Sequence, residues 1–354
     1  MKIKRFLWKT GITISILLGL IFYISCNSLD FKTIHIVRPL EQSPKLNDIQ
    51  VKSATEIVCV FSKSVKVLSL YAKSVTDDDV VQCEGECDEE GILSIHLPFA
   101  TQIGKEYTMC GVVENEGKSS LSFEFEFMGM NDHRADLVLS EIHDGYSGKT
   151  QECEFIEVYA VTDGNTAGYE IYSAYDGEAK NYVFPAMEVK AGEYITVHLR
   201  KLDESCTDEI GDNVKLNENI KNTCRTARDL FALNSESHLG GVYDVILLRD
   251  KETQSVRDAI CYVQKSKNDS VGWKKLSCSI AAEQAVEAGV WTGEDIEDAL
   301  NADGLTITHT LARQNIKSLK NYSFPYPNGA KYWIVTENRK AITPGKPNSS
   351  SAKK

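Results

Sequence analysis

From residue 46 onward the chain is dominated by alternation of apolar and polar positions. Period-two runs recur at residues 49–52, 56–61, 65–71, 80–83, 92–97, 107–113 and 121–127. The last is the sharpest: Phe123, Phe125 and Phe127 point one way, Glu124 and Glu126 the other, as in a strand with one buried face. Turn signals such as Glu116-Gly117 separate the runs. A second series follows residues 129–134, at 136–143, 154–160, 168–173, 181–185, 191–199, 243–249 and 256–262, the last two forming a hairpin around Asp250–Thr253. Two stretches lack this period, 200–240 and 264–305. Within the second, residues 279–288 (SIAAEQAVEA) are helix formers stopped by Gly289. A second helix is predicted from Thr292, with Asp295 as a capping box and Ile296, Ala299 and Leu300 on one face.

The fold class this predicts is all-β. Seven short strands in about 85 residues (46–130) are the count of an Ig-like sandwich. Residues 104–131 (GKEYTMCGVVENEGKSSLSFEFEFMGMN), with FSKSV at 61–65, resemble the bacterial Ig-like domains of surface-layer proteins. Over residues 135–348 the ordered series SEIH, EFIEVY, FP, AGEY, LARQ and TPGKPN resembles a bacterial lamin-tail domain. That resemblance implies a second Ig-like β-sandwich used in binding or architecture, without cofactor or catalytic constellation. Its 214 residues exceed the roughly 100 of such a sandwich, and the excess sits in the two inserts. A sandwich core needs neither insert, so both are expected to be surface segments that carry binding specificity. Residues 349–354 are expected to be a disordered tail.

The N-terminus reads as a targeting segment. Lys2, Lys4, Arg5 and Lys9 precede an uncharged apolar run of 14 residues, 11–24, too short to span a bilayer and matching a signal peptide over residues 1–25. Ser25-Cys26 then resembles a bacterial lipoprotein box, with Tyr23 and Ile24 departing from the strict form towards the looser spirochaete type. The resemblance implies cleavage before Cys26, lipidation of its thiol, and residues 26–45 as a tether to the membrane. The other reading is an uncleaved anchor. The charge of −12, which becomes −16 once residues 1–25 are removed, argues against nucleic acid as a partner. The expected location is the cell envelope, and the expected partner an envelope protein or glycan.

Ten cysteines in an exported chain suggest disulfides. Cys59 and Cys110 could face each other across the first sandwich, and Cys206 with Cys224 and Cys261 with Cys278 would close loops worth about 3 kcal/mol each. Connectivity is not fixed by sequence; with Cys26 taken by lipid nine cysteines remain, so one thiol, such as Cys153, is left over. Cys83 and Cys87 have no second pair at zinc spacing. Acidic residues crowd at 77–79 and 84–90, as a calcium site or as a solvated face.

Glu141 and Glu157 are the paired carboxylates a glycosidase would use, but their lamin-tail counterparts are structural. The seven histidines are scattered, and no nucleophile elbow, P-loop or dinucleotide fingerprint occurs. No metal ligands, cofactor or catalysis are expected. A glycan-binding surface could be built from Trp273, Lys274, Lys275, Trp291 and Tyr326, whose aromatic faces suit sugar rings. The competing reading is that these aromatics cover the core. The function expected is a lipid-anchored, non-catalytic binding or structural module, the alternative being an accessory glycan-binding partner of an extracellular hydrolase.

Overall fold

The computed structural model describes residues 43–74, 79–145, 154–177, 181–200, 203–220, 223–224, 226–232, 239–268, 272–293 and 295–353. The signal segment, Cys26, most of the tether and Cys153 lie outside the described residues. Those described form two compact units, 43–100 with Glu106–Met128, and Thr101–Lys105 with 129–353.

The first unit has eight strands: β1 (Leu46–Ser53), β2 (Glu56–Phe61), β3 (Lys66–Ser74), β4 (Val80–Gln82), β5 (Glu84–Cys87), β6 (Ile92–His96), β7 (Glu106–Glu114) and β8 (Ser120–Met128). They pair as two four-stranded antiparallel sheets, β1-β2-β6-β5 and β4-β3-β7-β8. This is the strand order of an Ig-like sandwich with one added strand beside the second sheet. The inward faces supply Ile57, Cys59, Phe61, Leu70, Leu93, Ile95, Met109, Phe123 and Phe125. On β8 burial alternates along the whole strand, as the Phe/Glu pattern requires. Gly111 has no room for a side chain: a Cβ there would stand 2.3 Å from the Phe123 ring.

The acidic run corrects the seven-strand expectation. Residues 84–87 (EGEC) pair with β6 as an edge strand, and the chain crosses between sheets at the buried Cys83. An edge strand of alternating glutamates has too little apolar content for periodicity to reveal, and its charge blocks pairing with other chains.

The second unit contains β9 (Leu137–His143), β10 (Phe155–Ala160), β11 (Gly164–Asn165), β12 (Tyr169–Ser173), β13 (Tyr182–Val183), β14 (Glu188–Val189), β15 (Tyr194–His198), β16 (Arg228–Phe231), β17 (Tyr243–Asp250), β18 (Val256–Val263), helix α1 (Leu276–Glu287), β19 (Leu300–Asn301), β20 (Leu311–Arg313) and β21 (Trp333–Val335). A six-stranded sheet, β16-β15-β10-β9-β20-β21, faces a five-stranded sheet, β13-β12-β17-β18-β19, and β11 pairs with β14. Leu137, Leu139, Ile142, Ile156, Val158, Ile195 and Val197 of the first sheet share one core with Ile171, Val245, Leu247, Ala259 and Cys261 of the second. The protein is thus all-β and of sandwich architecture, with a single α-helix and a few short 3-10 turns among the described residues.

Three expectations are corrected here. Residues 264–305 are not a dispensable loop. Helix α1 puts Cys278, Ala281 and Ala285 into the core, and Val290, Trp291, Ile296, Ala299, Leu300 and Leu305 follow. The helix ends at Ala288, with Gly289 at φ +70° as the sequence predicted. The second predicted helix is a single turn, Ile296–Asp298, because Leu300 leaves it to pair in parallel with Tyr262 at the sheet edge. In the other insert, β16 adds a parallel edge to the six-stranded sheet. Residues 349–353, expected to be disordered, return to the fold: Thr336 bridges Ala352, and the Lys353 N–H donates to Val335 O at 2.8 Å.

Candidate functional site

The outer face of the six-stranded sheet, antiparallel but for its β16 edge, is unusual because it is both polar and buried. A bulge in β9 creates it. Glu157 pairs with Glu141 but the next residue, Val158, pairs with Leu139, so Ser140 is the extra residue. Ser140 and Glu141 therefore both serve the outer face, while Leu139 and Ile142 remain in the core. Register then aligns Glu141, Glu157, Thr196 and Asp229 in one row across β9, β10, β15 and β16. The neighbouring row is His143, Phe155, His198 and Phe231. These rings stack, with centroids 5.4 Å apart for His143–Phe155 and 5.0 Å for His198–Phe231.

Residues 343–348 (TPGKPN) strap this polar row. The Thr343 N–H and hydroxyl donate to Glu141 at 3.1 and 3.0 Å. The Gly345 N–H donates to Glu157 Oε2 at 2.5 Å, and Ser140 Oγ to Glu157 Oε1 at 2.8 Å. Asn348 Nδ2 donates to the carbonyls of Ser140 and Arg313 at 2.8 and 2.9 Å. Gly345 is needed at φ +72°, where a Cβ would stand 2.7 Å from that of Ala227. Both glutamates are fully buried. Burial pushes the Glu141 carboxyl up to about 7 against the pull of its Thr donors. Burial, and then the Glu141 charge, raise Glu157 well above the usual carboxylate range.

At the β16 end of the row, His198 Nε2 lies 2.7 Å from Asp229 Oδ1, and the Cys224 N–H donates to Asp229 Oδ2 at 2.7 Å. Cys224 Sγ is 3.1 Å from Thr196 Oγ1. Burial and the Asp229 charge hold this thiol well above its ordinary value, so it is not an activated nucleophile. This trio was not legible in the sequence. The parallel pairing of β16 with β15 brings it together, and the spacing 198, 224, 229 matches no ligand pattern.

The predicted disulfides are not formed; all eight described cysteines are free thiols. Cys59 is in the first core, but Cys110 lies on the opposite face of β7 beside Glu124, so the two cannot meet. Cys224 is buried against Thr196 while Cys206 is partly exposed in its loop, and Cys261 and Cys278 share the second core as thiols. Nor do the proposed glycan-binding residues form one surface. Trp291 is buried in the inter-sheet core, and Trp273 packs on that core with its ring 6.1 Å from Tyr243. Tyr326 is buried in the cluster on the outer face of the six-stranded sheet, its hydroxyl donating to Asp136 at 2.8 Å. Lys275 Nζ sits 3.6 Å over the Tyr175 ring, and Lys274 is exposed. Trp273 and Trp291 are packing residues because the insert that carries them closes the core, and Tyr326 packs on the outer face of the six-stranded sheet. In the acidic run, Asp88 Oδ1 accepts the N–H groups of Glu90 and Ile92 at 2.9 and 2.8 Å and closes a turn, while Asp77 and Asp78 of the other acidic loop lie outside the described residues.

Comparison with known proteins gives relatives without an assigned activity. An uncharacterized protein of Treponema pallidum (strain Nichols) is 24% identical over 255 residues, 70% of this chain, and the match spans 61% of that protein's length. Among solved structures, a DUF4876 family protein from Bacteroides thetaiotaomicron VPI-5482 is 12% identical with a TM-score of 0.33, over 81% of this chain and 96% of that one. The FN1-FN3 domains of chicken CNTN1 are 11% identical with a TM-score of 0.20, over 58% and 75% of the two chains. The family model described as "TP_1001_2nd: protein second domain" matches residues 135–335, nearly the whole second unit and more than half of the sequence. By that match the chain belongs to the TP_1001 second-domain family.

Proposed function

We propose that this is a lipid-anchored protein of the cell envelope, a non-catalytic binding or structural module made of an Ig-like domain followed by a lamin-tail-like one. The observation that carries this reading is the state of the chemically capable groups. Glu141, Glu157, His198, Cys224 and Asp229 are all buried, and the hydrogen bonds of both glutamates run to the strap and to neighbouring strands rather than towards solvent. The resemblance to lamin tails gains a physical basis from the same contacts. SEIH, EFIEVY and TPGKPN, far apart in sequence, are the pieces that build the strapped row. Anchoring rests on the basic residues, the apolar run 11–24 and Ser25-Cys26 after it; two or more acyl chains there would hold the protein on the membrane, where one would be reversible. No nucleic acid is expected among its partners.

The test is to express the full chain in a bacterial host and label with palmitate. The wild type is expected to take the label and sediment with membranes, whereas Cys26→Ala loses both. A folded Glu141→Gln variant is expected to keep envelope localisation and co-purifying partners. Label surviving Cys26→Ala would overturn the anchor, and loss of function in the folded Gln variant would overturn the non-catalytic reading.

A further inference from the structure

The ring of His198, the thiol of Cys224 and the carboxylate of Asp229 each offer a ligand atom within 4.8 Å of the other two, and all three residues are buried. We propose that they hold one divalent transition-metal ion of the zinc class as a structural site in the second unit. This is independent of the reading above, since a binding module and an enzyme could equally carry it.

The donor set is nitrogen, sulfur and oxygen, which zinc accepts at about 2.0–2.3 Å. Ligands on a tetrahedron of that size stand about 3.3–3.8 Å apart, so the 2.7 Å between His198 Nε2 and Asp229 Oδ1 would open by about half an ångström, and the sulfur, within 4.8 Å of both, would close by about 1 Å at most. Charge favours it as well. A neutral imidazole, one thiolate and one carboxylate balance a dication, so the loaded site buries no net charge. The ion would displace the thiol proton to solvent, leaving sulfur bound to metal.

The surroundings fix each ligand. Asp229 keeps Oδ2 on the Cys224 N–H, its Oδ1 would exchange the 2.7 Å hydrogen bond with His198 Nε2 for the metal, and its own N–H is held by Glu209 Oε2 at 2.9 Å. The His198 ring is set by Phe155 and Phe231, with centroids 6.5 and 5.0 Å away. Its Nδ1 is buried with no hydrogen-bond partner, and it would carry the ring proton once Nε2, the nitrogen beside Asp229, ligates the metal. Thr196 Oγ1, 3.1 Å from the sulfur, is placed to fill the fourth position or to orient a water there.

Purified full-length protein, stripped with a chelator and titrated with Co²⁺ near neutral pH, tests the site. One equivalent is expected to bind, with a thiolate-to-cobalt band in the near ultraviolet and tetrahedral bands in the visible. Zn²⁺ should bleach both and raise Tm. Cys224→Ser should abolish the near-ultraviolet band, whereas Cys110→Ser, at a thiol on the outer face of the first unit, should leave it intact. If Cys224→Ser does not fold, X-ray absorption on the loaded wild type decides, with one sulfur among nitrogen and oxygen neighbours expected. Folded wild type that takes up no stoichiometric metal, a band that survives Cys224→Ser, or a sulfur count other than one overturns the assignment.

Discussion

Glu141 has its carboxyl pushed from 4.5 up to about 7 by burial. The folded state therefore holds the proton more tightly than the unfolded chain does. Its contribution to stability is complete below about pH 4.5 and is lost as pH rises through 7, a change on the order of 3 kcal/mol. Thermal denaturation of the second unit is expected to move to lower temperature between pH 5 and 8. Glu141→Gln, isosteric and uncharged, should flatten that slope; an unchanged slope in the variant would refute the assignment. Gly345 permits a second test. Alanine there meets an unfavourable φ and a Cβ 2.7 Å away, so Gly345→Ala is expected to lower stability by more than about 1 kcal/mol in denaturant titration.

At the level of elements, helix α1 and the segment after it close the inter-sheet core. Replacing residues 264–305 by a short Gly/Ser turn would uncover the Trp291, Ala285 and Leu305 sites together. Losing one such large side chain costs about 3–5 kcal/mol, against a total stability of about 5–15 kcal/mol for a domain. The deleted protein is expected to show no cooperative transition for the second unit by calorimetry. What was legible in the sequence divides along the same physical line. A long strand with one core face, such as β8, announces itself by period two, the fully buried β17 by the unbroken apolar run 245–248, and α1 by helix formers ending at Gly289. Short strands such as β5, β11, β14, β16 and β19 show no period, and their pairing depends on distant chain, whereas the equally short β4 and β13 fall inside runs the sequence does show. The polar row shares that fate. Glu141 and Glu157 were recognisable as a pair, but the bulge at Ser140, which sets them on one buried face, has no residue signature. Cys224 and Asp229 reach His198 only through a parallel edge.

At the scale of the molecule, two units with separate cores make separable folding bodies. Residues 43–130 and 131–354 expressed apart are each expected to unfold in one cooperative transition. The second fragment must run past residue 348, because Ala352 and Lys353 pair with Thr336 and Val335. A lack of cooperative unfolding in both would place the boundary elsewhere. The strap also fixes an order of events during synthesis. Thr343 and Gly345 reach back 202 and 188 positions to Glu141 and Glu157. A chain emerging from its N-terminus therefore holds two carboxylates without their partners until some two hundred further residues have been made. The first unit can fold while the rest is still being translated, but the second must wait. Such a delay, set by loop closure over so long a span, leaves the two carboxylates of the second unit without their strap until translation is almost complete.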